Sequence, residues 1–188
     1  MDLQGKSCSI WSIEKYKVHF MEKGFSHMEG IDYEDTFTPI TRYSSIQTII
    51  SLAVEMGWRV HQMDVKTAFL NRVIEEEVYI EQLEGFDVEN RETHVCRLHR
   101  ALYGLKQAPR AWYSRIDNYL WEMGFQWSEF EQNLYFLIGE VPLILVLYVD
   151  DLFLAGDERL IRDCKSNLAV EFEMKDLGLM HYFLGLEV

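Results

Sequence analysis

The chain has 188 residues, 48% of them hydrophobic and 26% charged, enough to bury a sizeable core as one large domain or two small subdomains. Its 31 acidic against 18 basic side chains leave a net charge of −13, which argues against general nucleic-acid binding and leaves room only for a local basic patch. No apolar run approaches the ~20 residues of a membrane span, Met1-Asp-Leu-Gln-Gly-Lys is no signal peptide, and Cys8, Cys96 and Cys164 form no Cys-x-x-Cys; the expectation is an intracellular chain, cytoplasmic or nuclear, without membrane contact, disulfide framework or zinc ribbon.

Residues 1–15 carry no usable pattern and read as a loose terminus. Tyr16-Lys-Val-His-Phe-Met partly alternates and ends in Lys23-Gly24, a strand followed by a turn. The stretch from Gly30 to Pro39 is loop-like. Next, Ser44-Ser-Ile-Gln forms a capping box ahead of Ile46, Ile49, Ile50, Ala53 and Val54, with Gly57 as the stop of an amphipathic helix. Trp58-Arg-Val-His-Gln-Met reads as a short strand that delivers Asp64 at its end, and Asp64-Val-Lys-Thr-Ala-Phe then turns tightly.

Val78-Tyr-Ile-Glu-Gln alternates and is expected to pair with the region Thr93-His-Val-Cys-Arg-Leu. His94 and Cys96 would share a strand face that His99 opposes, with no fourth ligand near, which is poor zinc geometry. From Arg91 to Arg115 six Lys or Arg stand against the single Glu92, a basic island able to contact a phosphate backbone or simply a solvated helix face. Gly104 permits close backbone approach and Pro109 suits a helix start. Trp112, Ile116, Tyr119, Leu120 and Met123 then recur at helical spacing up to Gly124.

Residues 133–138 read as a strand, and Leu143-Ile-Leu-Val-Leu-Tyr-Val-Asp-Asp-Leu-Phe-Leu-Ala as a buried hairpin with its bend at Tyr148–Asp151, closed by Gly156. Paired acids at the tip of a buried hairpin repel each other in a low dielectric, and a hard divalent cation such as Mg²⁺ relieves that repulsion. Asp-Asp is also ordinary turn chemistry. The presence of Asp64 at another strand end tilts the balance, because such a trio can clamp two metal ions about 4 Å apart for phosphoryl chemistry. Asp157 can cap a helix whose one face carries Leu160, Ile161, Cys164 and Leu168, and Phe172-Glu-Met-Lys-Asp-Leu-Gly leads into a last strand, Tyr182–Val188. Strand, helix, strand-hairpin, helix, strand predicts an α+β fold: a split βαβ antiparallel sheet with helices on one face.

Five blocks together carry a resemblance. Gln62-Met-Asp-Val-Lys-Thr-Ala-Phe-Leu-Asn, Glu75-Glu-Glu-Val-Tyr-Ile-Glu-Gln, Ala101-Leu-Tyr-Gly-Leu-Lys-Gln-Ala-Pro-Arg-Ala-Trp-Tyr, Leu147-Tyr-Val-Asp-Asp-Leu, and Phe172-Glu-Met-Lys-Asp-Leu-Gly with His181-Tyr-Phe-Leu-Gly resemble, in order and spacing, the reverse transcriptase of copia-type LTR retrotransposons over residues 16–188. The resemblance implies a polymerase palm with fingers and no thumb: fingers at 16–57 and 71–100, palm at 58–70 and 101–188, after the unpatterned segment 1–15. It implies two Mg²⁺ ions, with Mn²⁺ as a substitute, held by Asp64, Asp150 and Asp151 and the Val65 carbonyl, with Asp151 a support more than a bridge.

The same resemblance places Val65, the exposed amides of Thr67 and Ala68, Phe69 under the sugar, and Lys106 and Gln107 around the incoming dNTP. Tyr148, Leu184, Gly185 and Arg110 fall near primer and template. The implied partners are a primed RNA or DNA template, dNTPs and the remainder of a Pol polyprotein, with its integrase and RNase H. The chain departs from the family pattern at His19, which stands where a phosphate-gripping Arg is usual and cannot offer that planar fork. Arg72 and Leu83-Glu84 likewise replace Asn-Gly and Pro-Pro. Two functions therefore stand side by side: template-directed DNA synthesis, and a catalytically silent remnant that keeps the palm and fingers fold.

Overall fold

The computed structural model describes residues 2–7, 13–19, 40–71, 74, 77–82 and 94–188, the first two stretches by backbone alone. The turn at Lys23-Gly24, the loop from Gly30 to Pro39, the side chain of His19, and Arg72 and Leu83-Glu84 lie outside the described residues. In chain order the elements are β1 (Asp2–Ser7), β2 (Ile13–His19), α1 (Tyr43–Glu55), β3 (Val60–Val65), a 3-10 turn (Ala68–Asn71), β4 (Tyr79–Ile80), β5 (Cys96–Arg97), α2 (Ala108–Glu122), β6 (Gln126–Ser128), β7 (Glu131–Leu137), β8 (Leu143–Tyr148), β9 (Asp151–Gly156), α3 (Glu158–Glu171), β10 (Met174–Leu179), β11 (Tyr182–Phe183) and β12 (Leu186–Glu187). They fall into two compact units, residues 1–37 with 69–112 and residues 38–68 with 113–188.

In the first unit β1 pairs antiparallel with β2, Asp2 opposite His19. Residues 1–15, expected to be loose, thus supply a whole strand and the start of another. Asp2-Leu-Gln-Gly-Lys-Ser has neither alternation nor β-branched residues, so only its partner strand reveals it. The pairing expected between 78–82 and 93–98 forms, although as a short ladder: Tyr79 faces Arg97, Ile80 faces Cys96, and the Leu98 amide donates to the Val78 carbonyl at 2.9 Å.

The second unit is built on a six-stranded sheet in the order β10-β3-β9-β8-β7-β6, antiparallel throughout. Strand β9 lies between β3 and β8, and β3 lies between β9 and β10, so β3-α2-β8 and β9-α3-β10 interleave as the expected split βαβ pair. Two strands were not foreseen. β6 is three residues long, and β10 breaks its register between Asp176 and Gly178, which hides the alternation.

Glycine ends two of the three α-helices among the described residues by the same device. Gly57 and Gly124 sit at φ +67° and +89°, and behind each the chain closes a pair of bonds onto the helix end: Gly57 to the Val54 carbonyl with Trp58 to Ala53, and Gly124 to Trp121 with Phe125 to Leu120. At the other end of α1 the capping box does not form. Arg42 is the N-cap without a side-chain bond, Ser45 Oγ turns to Glu131, and Thr48 Oγ1 bonds the Ser44 carbonyl. Asp157 does cap α3, its Oδ1 accepting from the Arg159 and Leu160 amides at 2.8 and 3.0 Å, and these bonds hold its carboxyl below the usual range.

Helices cover both faces of the sheet, not one. On the first face Ile46 and Ala53 of α1 pack with Val60, Ile144, Val146, Phe153 and Ala155, joined by Met180 and Phe183. On the second, Tyr135 of β7 bonds Asp117 of α2 at 2.8 Å, and Lys165 of α3 bonds both His61 of β3 and Asp176 of β10. Burial raises the Asp176 carboxyl, but the Lys165 ammonium and the Gly178 amide outweigh it and the net shift is downward. Tyr119 Oη reaches the Asn167 carbonyl and its ring stands edge-on to Phe172, tying α2 to α3. Both faces need cover because β8 and β9 are buried along five of their six residues each.

Candidate active site

The hairpin β8–β9 turns through two residues only, Val149 and Asp150, because Tyr148 still pairs with Asp151. Val149 has φ +56° and Asp150 does not share that left-handed geometry, the pattern of a type II′ turn whose first position favours glycine. A β-branched residue there is strained, and strain of this kind persists only where its surroundings over-determine it. Gly156, at the far end of β9, is required for a different reason. A Cβ on it would stand 1.9 Å from the Pro142 carbonyl oxygen, so the two strands close only around a glycine.

Strand pairing brings the acids together. Asp64, at the end of β3, faces Asp151 of β9, and the Val65 amide donates to the Asp150 carbonyl at 2.8 Å. Lys175 of β10 faces Asp64 on its other side, and Tyr148 of β8 faces Asp151. One row across four strands therefore reads Lys175, Asp64, Asp151, Tyr148, all on the sheet face that carries α1. Gln62 stands on the same face two residues before Asp64, and its Nε2 donates to Asp151 Oδ1 at 3.0 Å. Burial pushes the Asp151 carboxyl up, the Gln62 bond pulls it down, and the charges of Asp150 and Asp64 push it up again; the net shift is upward.

An aromatic column continues the row. The Tyr148 ring stands edge-on to Phe183 at 5.5 Å, and Phe183 to Phe153 at 4.1 Å. Phe183 belongs to the two-residue hairpin β11–β12, which corrects the single strand expected over 182–188: Tyr182 faces Glu187 and Phe183 faces Leu186. Leu184 and Gly185 form its tip at φ +45° and +82°. The run Tyr-Phe-Leu-Gly-Leu-Glu-Val looked continuous because glycine in a tight turn and glycine in a strand are the same letter in sequence.

Other expectations fare unevenly. Thr67, at φ +52°, is exposed, with its hydroxyl on the Lys66 carbonyl at 2.7 Å. Ala68 is fully buried, so the exposed amide expected there does not exist in this conformation. Lys66 turns away from the acids to Glu173, at 2.8 Å. In the first unit Phe69 is buried with its ring 4.6 Å from that of Tyr103. Lys106 is half-buried and Arg110 exposed. Gln107 is 8% exposed and neither polar atom of its amide has a hydrogen-bond partner. The basic island is partly spent within the protein: Arg97 pairs with Glu77 at 3.1 Å, Arg115 with Glu171, and Arg100 reaches the Leu70 carbonyl.

Sequence reasoning overlooked Gln62, Lys175 and Phe183. Gln62 could have been found, because period two puts it on the face of Asp64; Lys175 and Phe183 needed the register of a strand and a hairpin that the sequence does not announce. The donor set, carboxylates alone, has the chemistry of a hard-cation site. Among the described residues, however, no three His, Cys, Asp or Glu side chains are gathered tightly enough to hold an ion, so the backbone sets the donors in a row and side-chain rotation has to complete any cage. Among the described residues no helix is long and apolar enough to cross a membrane.

A family model described as reverse transcriptase (RNA-dependent DNA polymerase) matches residues 6–188. The chain is 42% identical over 177 residues to the retrovirus-related Pol polyprotein from transposon TNT 1-94 of Nicotiana tabacum, covering 93% of this chain and 13% of that protein. It is 40% identical over 178 residues to the Pol polyprotein from transposon RE1 of Arabidopsis thaliana, covering 94% and 12%. At greater distance, the Ty1-BR Gag-Pol polyprotein of Saccharomyces cerevisiae is 27% identical over 192 residues, covering 92% and 10%. The chain thus spans about an eighth of the length of the first two relatives. No solved structure matches it.

Proposed function

The chain belongs to the reverse transcriptase (RNA-dependent DNA polymerase) family, and from that membership we propose that it is the DNA-synthesising domain of a copia-type Pol polyprotein, adding dNTPs to a primer 3′-hydroxyl on an RNA or DNA template. The observation that carries this reading is the pairing of Asp64 with Asp151 on neighbouring strands, with Asp150 tied to Val65 by the backbone. Acids distant in sequence meet at the open end of a buried sheet, where packing does not need them. The second unit is then the palm and the first carries the fingers, with α1 grouped with the palm on whose sheet it packs.

Asp64, Asp150, Asp151 and the Val65 carbonyl would hold the divalent cations, Mg²⁺ or Mn²⁺, and when bound these supply Lewis acidity at the primer hydroxyl and neutralise the phosphates. The chain's own contribution is to concentrate negative charge on one row and keep water from its underside, where Leu147 and Leu152 are wholly buried. Gln107 is the candidate for contact with the incoming nucleotide. A buried amide without hydrogen bonds costs on the order of 1–3 kcal/mol per unmatched group, which a sugar hydroxyl or base edge would recover. Phe69 is the candidate for excluding a 2′-hydroxyl, and the tip Leu184-Gly185, joined to Tyr148 through Phe183, for holding the primer end.

That the neighbouring acids, among the described residues, do not close around an ion favours a second reading, a folded domain without synthesis. Primer extension with Mg²⁺ or Mn²⁺ separates them. Synthesis by the wild-type chain that falls at least about a hundredfold in Asp150→Asn and in Asp64→Asn supports the polymerase, since each removes charge placed for phosphoryl transfer. An Asp150→Asn chain with full extension contradicts it, and no extension by any variant supports the silent domain.

A further inference from the structure

Resting on the polymerase reading, we propose that Gln62 is a positioning residue for Asp151: its amide claims one oxygen of that carboxylate and so fixes which way Asp151 presents the other to the cation site. The bond is specific in a way the row itself is not. Gln62 pairs across the strands with Phe153, and Asp64 with Asp151, so Gln62 and Asp151 are diagonal neighbours on one face. A diagonal cross-strand separation of about 7–8 Å between backbones is within reach of a long side chain and out of reach of a short one. The contact made is Nε2 to Oδ1 at 3.0 Å.

Chemistry explains why a neutral donor stands there. Asp151 is half-buried beside two other carboxylates, so it needs a donor. A lysine or arginine would neutralise the charge that a cation has to find, whereas an amide donates without cancelling it. Of the cations nearby, Lys66 is directed to Glu173 at 2.8 Å and Lys165, on the opposite face, to Asp176 at 2.7 Å, while Lys175 faces Asp64 and leaves Asp151 to Gln62. Gln62 therefore restrains one acid of the hairpin and leaves Asp150 and Asp64 unrestrained by it, which gives the two adjacent aspartates unequal tasks. A second layer of donors that orients metal-binding carboxylates is a general feature of such sites.

The test uses Mn²⁺ alone as the probe, the free ion counted by electron paramagnetic resonance, with the full chain and no nucleic acid. Gln62→Met keeps the side-chain length and lacks the donor; it is expected to weaken Mn²⁺ binding roughly tenfold, the lower end of what loss of an outer partner costs a metal site. Gln62→Asn keeps the amide but falls a methylene short, and gives the same loss, so the result does not hang on the folding of one variant. In an Asp151→Asn background Gln62→Met changes affinity by less than about twofold, because the group through which it acts is gone. An unchanged affinity in Gln62→Met, or equal losses in the two backgrounds, overturns the proposal while leaving the polymerase reading intact. Failure of the wild-type chain to bind Mn²⁺, or binding indifferent to Asp64→Asn, overturns the polymerase reading and this proposal with it.

Discussion

The hairpins β8–β9 and β11–β12 both turn through two residues, and each carries a residue other than glycine at positive φ: Val149 at +56° and Leu184 at +45°. Left-handed geometry costs such a residue on the order of 1–2 kcal/mol. The first hairpin bears that cost between two strands of six residues, ten of whose twelve positions are buried, whereas the second bears it between strands of two residues with Phe183 as the one buried anchor. The second position of the latter turn is left-handed as well and is taken by Gly185 at φ +82°, whereas Asp150, at that place in the former, is not left-handed. A long buried ladder can hold an unfavourable tip in place, and the strained tip is the one that carries the acid pair. The short hairpin takes the easier I′ turn and depends on Phe183 to stay with the sheet.

The first hairpin is most sensitive at Gly156. Gly156→Ala drives a methyl into the Pro142 carbonyl and removes the support of the strained turn; we expect a loss of roughly 4 kcal/mol or more, seen as failure to fold or a collapsed urea midpoint. Substituting the tips tells the two hairpins apart. Val149→Gly should stabilise the chain by about 1 kcal/mol by releasing the left-handed valine, and Leu184→Gly by less, since the short hairpin gains more freedom in return. Equal gains at the two tips would show that strand length does not decide where strain is kept.

The smallest effect is electrostatic. The Asp151 carboxyl is raised in the folded chain, so without a divalent cation the folded state binds more protons than the unfolded one just above the ordinary carboxylate value. Stability from this group is present at lower pH and is lost as pH rises through the raised value. Asp151→Asn should abolish that slope and give a modest rise in Tm at neutral pH in the presence of a chelator. Thermal unfolding of both chains across the acid range checks it, and a wild type that does not lose stability relative to Asp151→Asn as pH rises through the raised value would contradict it.

How much was legible in the sequence depends on the range of the interaction responsible. The stops at Gly57 and Gly124, the cap at Asp157, the buried hairpin and its bend could be read, since each is set by residues within one turn of helix or one strand pair. The capping box at Ser44 was legible and did not form: the helix begins two residues earlier than the box would have it, with Arg42 as N-cap, and Glu131, far along the chain, meets Arg42 and Ser45 at that end. Strand β10 and the hairpin β11–β12 were illegible for a related reason. Their residues, Phe183 apart, are mostly exposed and break the period of two, so the partner strand alone defines them.

By itself the sequence determined that three aspartates stand at strand ends or turns, that the hairpin bearing two of them is buried, and which family the chain joins, because side-chain type, apolar runs and ordered motifs are local properties of the chain. The tertiary structure alone decided which acid faces which, that Gln62 and Lys175 flank them, and that Ala68 is closed off. The first two are matters of register, and a slip of a single residue in one pairing would send that strand's side chains to the opposite face.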